Sequence, residues 1–301
     1  MEFQEKLLAS HLAFEEMVDI ADPVHQTRLE SLKTFEQKGF PSRKDEAWKY
    51  TSLNAMLRQD YALFPKAETT IQLKKVKKYF LYEIDTYKVV FIDGVYSPFL
   101  SDTTHDGLDV CLMSAALSKA KYKNLINTYF NKIANKEDSL TALNTSYTQE
   151  GAYVYIPKSV VAEKPIEIIH FSTGKEKALW LQPRNLIVVD QNAQVQILER
   201  HQSLKEHDVV TNTVTEIYTH QDAFVDYYKI QNDLSTASLI DNTYISQEKN
   251  SNVRVHTFSL GGKLTRNNLN FYHKGQHCDS TLKGVTLLGD KQHVDHFTLV
   301  D

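Results

Sequence analysis

Imidazole and thiolate side chains gather near the end of this 301-residue sequence, at His273, His277, Cys278, His293 and His296. Imidazole nitrogen and thiolate sulfur are natural ligands for iron or zinc. No two of the five stand at a recognised ligand spacing. A stably bound iron–sulfur cluster normally takes about four thiolates, and the chain has only Cys111 and Cys278. The five residues therefore read as corner and edge residues, no metal ligand is assigned, and no metal held tightly by the isolated chain is expected. Asp222, Asp226, Asp233 and Asp241 could supply the paired carboxylates or cation site of a carbohydrate-cleaving enzyme. Most fall in polar turns, where Asp is favoured for local hydrogen bonding. GxSxG, GxGxxG, HExxH and the phosphate-binding GxxxxGK[ST] are absent, so no catalytic or cofactor-binding residue is assigned.

Composition points the same way. Hydrophobic residues make up 42% and charged residues 24% of the chain, close to the average of globular proteins. The formal net charge of -4 gives no reason to expect nucleic acid. The basic run Lys74-Lys75-Val76-Lys77-Lys78 reads as a solvated helix face or linker. No apolar run approaches the ~20 residues that span a bilayer, and the acidic start Met1-Glu2-Phe3-Gln4-Glu5 is unlike a signal peptide. Two cysteines without a CxxC fit a reducing compartment. The expectation is a cytoplasmic protein that binds neither membrane nor nucleic acid.

The elements that must position these residues fall into two halves. Residues 1–150 read as an α-rich domain with some strand. Asp22-Pro23 predicts a helix start, Leu29, Leu32 and Phe35 recur at helical spacing, and Gly39 predicts the stop. Ser42 to Asp45 resembles a capping box opening a short segment whose Trp48 is expected to pack. Val89 to Gly94 reads as a strand and turn, and Tyr122, Leu125, Ile126, Tyr129 and Ile133 as an amphipathic helix.

Residues 151–301 change character. No Pro occurs from Arg184 to Asp301 and no Gly from Lys175 to Leu260, so long strand ladders can form. One strand type is headed by Asn185, Asn212, Asn242, Asn268 and finally Asp295, at intervals of 27, 30, 26 and 27. A second alternates with it, beginning near Ala193, Ala223, Asn252 and Cys278. Short polar corners lie between, among them Asp190-Gln191-Asn192, His220-Gln221-Asp222, Glu248-Lys249-Asn250, Lys274-Gly275-Gln276 and Gly289-Asp290. Val195 and Ile197 are expected inside, with Gln194, Gln196 and Glu199 outside. A two-strand unit of nearly constant length is a solenoid signature, and its turns must stack to bury their apolar face. The fold class is mainly β, a parallel β-helix preceded by the α-rich region. An antiparallel sandwich or jelly roll is the alternative.

Three stretches resemble the SufD family of iron–sulfur cluster assembly scaffolds. The first is Pro41-Ser42-Arg43-Lys44-Asp45-Glu46-Ala47-Trp48-Lys49-Tyr50-Thr51. The second is Pro183-Arg184-Asn185-Leu186, leading to Ala193 and Leu198-Glu199-Arg200. The third runs from Gly261-Gly262-Lys263 through Arg266-Asn267-Asn268 to Leu282-Lys283-Gly284 and Gln292-His293-Val294-Asp295-His296. The last two also occur in the sister subunit SufB, and the Trp-bearing first stretch favours SufD. The resemblance implies a right-handed β-helix and a non-catalytic scaffold working with a SufB-like subunit and a SufC-like ATPase. It also implies a nascent cluster at a SufB–SufD interface, with no cofactor stably bound by this chain alone. A carbohydrate-active β-helix lyase or hydrolase is the rival reading. Family members continue past the position of Asp301 into further turns and the region that binds SufC, so the chain reads as C-terminally incomplete. Its last strand is then expected to expose an open face, with Gln292, His293, Asp295 and His296 as the candidate partner interface.

Overall fold

With no proline after Pro183, every later strand keeps an N–H for its neighbour. The computed structural model describes residues 2–64, 71–81, 83–103, 107–289 and 291–301. Its strands form two facing sheets. One contains β1 (Tyr87–Ile92), β2 (Val95–Tyr96), β5 (Ile166–Ser172), β8 (Gln194–Ser203), β10 (Phe224–Gln231), β12 (Asn252–Ser259) and β14 (Asp279–Thr286). The other contains β3 (Asp109–Leu112), β4 (Ala152–Ile156), β7 (Arg184–Val189), β9 (Asp208–Thr219), β11 (Ala237–Gln247), β13 (Leu264–His273) and β15 (His293–Val300). The short β6 (Ala178–Leu181) pairs with β9. The chain alternates between the sheets, and successive strands within each sheet are parallel. That is a β-helix and not an antiparallel sandwich. Among the described strands, the small β1–β2 and β3–β4 pairs are antiparallel.

The register departs from the Asn-headed repeat. Asn242 lies opposite Asn268, but Asn212 lies opposite Ile240, Asn185 opposite Thr215, and Asp295 opposite Arg266. The corners mark the period instead. Asn192, Asp222, Asn250 and His277 each adopt a left-handed conformation, with φ between 57° and 59°. Asn192 donates its backbone N–H to Gln221 O, Asp222 to Lys249 O and Asn250 to Gln276 O. Asn and Asp tolerate this conformation, so a turn-forming residue at each corner holds consecutive coils in step. Asp290, in the last expected corner, lies outside the described residues.

Strand β1 precedes residue 150 yet pairs in parallel with β5. Ile166, Ile168, Ile187, Val189, Val195, Ile197, Ile217, Val225 and Val253 fill the space between the sheets. Outside them pack α1 (Phe3–Glu15), α2 (His25–Lys38), the short α3 (Leu73–Val76) and α4 (Met113–Ser118), α5 (Ala120–Tyr129) and α6 (Ser139–Ser146). Helix α2 starts at His25, later than Asp22-Pro23 suggests, because the Asp22 carboxylate accepts the Val24 N–H at 2.8 Å and pairs with Arg28 at 2.6 Å. Gly39 ends the helix with φ 65°. Helix α5 stops before Ile133 because Glu216 on β9 captures the backbone N–H groups of Asn131, Lys132, Ile133 and Ala134. Arg184 balances that buried carboxylate at 2.5 Å.

Candidate functional site

Side chains alternate along a strand, so the inward set of β8 is Val195, Ile197, Glu199 and His201. Glu199 is 1% exposed, not outside as expected, because it shares parity with Val195 and Ile197. On β5 the same parity takes Ile166 and Ile168 to His170. One end of the strands thus builds an apolar core and the other a polar interior. Parallel register stacks the polar residues in columns: Glu199 beside Lys229 and Thr257, and Thr213 beside Asp241, Asn267 and His296.

Phe91, His170 and His201 occupy a third column, opposite one another on β1, β5 and β8. Their rings stack at 5.0 Å and 4.8 Å between centroids. Asn185 donates to Glu199 Oε1 at 3.0 Å, Thr215 donates to Oε2 at 3.3 Å, and the Tyr227 hydroxyl also donates to Oε2. Oε1 stands 3.7 Å from His170 Nε2 and 3.6 Å from His201 Nε2. Burial alone would raise the Glu199 carboxyl, but the two imidazoles outweigh it and hold the group well below the usual carboxylate range. Burial pushes the His170 imidazole down. Burial also works to lower His201, but Glu199 beside it prevails and raises it. Lys229 pairs with Asp241 at 2.8 Å and donates to Thr243 at 3.1 Å.

A second convergence lies at the C-terminal end. Thr51 donates to Asp295 and its hydroxyl lies 3.1 Å from His293 Nε2. Asp295 also accepts from Arg266 Nη1, and the Arg266 guanidinium sits 4.7 Å over the Trp48 ring. Trp48 is 5% exposed and packs in the N-terminal core. The first and third motifs thus meet in one bracket that ties the 41–51 segment to β13 and β15. His296 faces the other way, into the interior, 3.3 Å from Asn267 Nδ2 and 3.1 Å from Thr286 Oγ1. It lines a cavity of about 240 Å³ with Lys229, Thr257, Asn267 and Leu282. Gln292 lies half-buried just before β15.

The C-terminal imidazoles and thiol have separate local contacts. His273 lies 2.8 Å from Ser280 Oγ, and the half-buried Cys278 donates to the Gly275 carbonyl at 3.2 Å. His277 is an exposed corner residue. Among the described residues, the metal-binding side chains that do come together are His170, Glu199 and His201, whose ligand atoms lie within 4.8 Å of one another. Inward parity was the available signal for them. The four acids have their own neighbours too. Asp222 accepts from Asn250, Asp233 from Ser203, and Asp241 pairs with Lys229, while Asp226 lies 3.9 Å from His256.

Comparison with known proteins fits this architecture. A family model described as "SufBD protein N-terminal region" matches residues 4–168, and one described as "SUF system FeS cluster assembly, SufBD core domain" matches residues 170–301. The chain belongs to the SufB/SufD family. An iron–sulfur cluster assembly SufBD family protein of Synechocystis is 26% identical over 86% of this chain and 59% of its own length. The iron–sulfur cluster assembly protein SufD of Escherichia coli is 23% identical over 91% of this chain and 60% of its own. SufD of Bacillus subtilis is 25% identical over 59% of this chain and 41% of its own. The chain thus spans about three-fifths of the length of the first two relatives. In this SufB/SufD chain the second motif has a structural meaning: Arg184 neutralises Glu216, and Asn185 aims Glu199. None of the described helices is long and apolar enough to cross a membrane.

Proposed function

We propose that this chain is a non-catalytic, cytoplasmic scaffold subunit for iron–sulfur cluster assembly. It works in a complex with a SufB-like subunit and a SufC-like ATPase. The observation that carries the reading is the pair of family matches, which run in order along one parallel solenoid. The relatives' names place them in cluster assembly. In this reading a nascent cluster forms at the interface with the SufB-like subunit. The docking face is the edge made by β14 and β15, which contains His293, Asp295 and His296 and is flanked by Gln292. Leu282, Val285, Phe297 and Val300 are 39–52% exposed there. Apolar side chains exposed together on one face are suited to receiving another subunit. Co-expression with SufB and SufC partners, followed by purification through a tag on the SufB-like subunit, tests the reading. The three chains are expected to elute together. Partners that elute without this chain would contradict it.

A further inference from the structure

We propose that His170, Glu199 and His201 form a site inside the solenoid for one divalent first-row transition-metal ion. The site is independent of any partner subunit. Two imidazole nitrogens and a carboxylate are a donor set suited to zinc or ferrous iron. Both Nε2 atoms are buried and have no hydrogen-bond partner among the described residues, and both face the same Glu199 oxygen from beyond hydrogen-bond reach. An unpaired buried polar atom costs free energy, and one ion would satisfy both. All three ligand atoms lie within 4.8 Å of one another, and metal bonds of about 2.0–2.2 Å require the two rings, nearly parallel in their stack, to turn toward the shared Glu199 oxygen.

Charge supports the same assignment. A buried carboxylate needs a counter-charge. Arg184 is paired with Glu216, Arg200 with Glu167 and Lys229 with Asp241. Only the two imidazoles stand in ion-pair range of Glu199 among the described residues. Asn185, Thr215 and Tyr227 hold the carboxylate in place, the kind of outer support that orients metal ligands. Two voids of about 10 Å³ each border His201, one lined also by Glu199 and the other by His170. Each has room for a single ion or water.

Cobalt tests the site because its visible ligand-field bands report coordination. The full chain is produced with a non-histidine tag in medium supplemented with Co²⁺, desalted, and examined by elemental analysis and absorption. About one cobalt per chain with visible bands is expected. Glu199→Gln and the double variant His170→Asn/His201→Asn should each retain less than a tenth of it, with wild-type circular dichroism. His256→Asn, outside the site, should retain all of it. Less than about a tenth of a cobalt per wild-type chain would overturn the proposal, whatever the variants do. So would wild-type cobalt content and spectrum in the folded variants, because the imidazoles would then hold only protons.

Discussion

Asp295 accepts from both Thr51 and Arg266, so replacing it with Asn strands a cation that is only 3% exposed. Breaking a buried pair from one side is strongly destabilising, and the partial exposure of Asp295 lowers the cost here to about 2–3 kcal/mol. Urea unfolding of Asp295→Asn should show that loss, and a change below about 0.5 kcal/mol would mean that the bracket is not holding the 41–51 segment. Glu150 makes a pH prediction. Burial pushes its carboxyl up to about 7, against hydrogen bonds from Ser114 and Gly151. Its folded state therefore holds a proton more tightly than its unfolded state. The stabilisation is fully present below the unfolded value of 4.5 and is lost as pH rises through about 7. Comparing wild type with Glu150→Gln by urea unfolding near pH 5 and near pH 8 should reveal a difference on the order of 3 kcal/mol in wild type, largely absent in the variant. Parallel pH profiles would remove Glu150 as the cause.

At the scale of elements, corner stacking makes a paired prediction. A Cβ on Gly275 would stand 2.2 Å from Lys249 N, whereas one on Gly284 would meet only Thr257 O at 3.7 Å. Gly275→Ala should lower stability by about 1–3 kcal/mol through overpacking, while Gly284→Ala should leave the thermal midpoint unchanged or raise it. Equal effects would mean that the corners do not touch. The same corners explain what was legible in the sequence. The absence of Pro, the paired strands and the near-constant interval were enough to predict parallel coils. The register was not legible from Asn alone, because Asn serves several tasks. Asn185 positions Glu199, Asn212 donates to the Leu140 carbonyl, and Asn268 donates to Asn242. The left-handed residues at positions 192, 222, 250 and 277 carry it instead. The buried triad was obscured by a related error. Glu and His read as surface residues unless strand parity is followed past Ile197 and Ile168, and the converging side chains are about 30 residues apart because one coil separates them. Nothing local in the third motif indicates that Trp48 will meet Arg266.

Across the whole molecule, the polar interior and the apolar edge have different consequences. The apolar side chains exposed on β14 and β15 predict that the 301-residue chain self-associates in solution. Light scattering should give a mass above 34.6 kDa that rises with concentration. Val285→Lys with Phe297→Lys should suppress it, since charge on an edge strand blocks further pairing. A monodisperse wild-type monomer would show that this face needs no cover. The central claim, that the chain is a scaffold for cluster assembly, is tested most directly by counting acid-labile sulfide. Sulfide is preferable to iron, because the interior His170 site could itself hold iron. The SufB-like subunit and the SufC-like ATPase are reconstituted anaerobically with ferrous iron and a sulfur donor, with and without this chain. The account predicts sulfide bound in stoichiometric amount in the complex that contains this chain and several-fold less without it. Equal sulfide in both samples would contradict it.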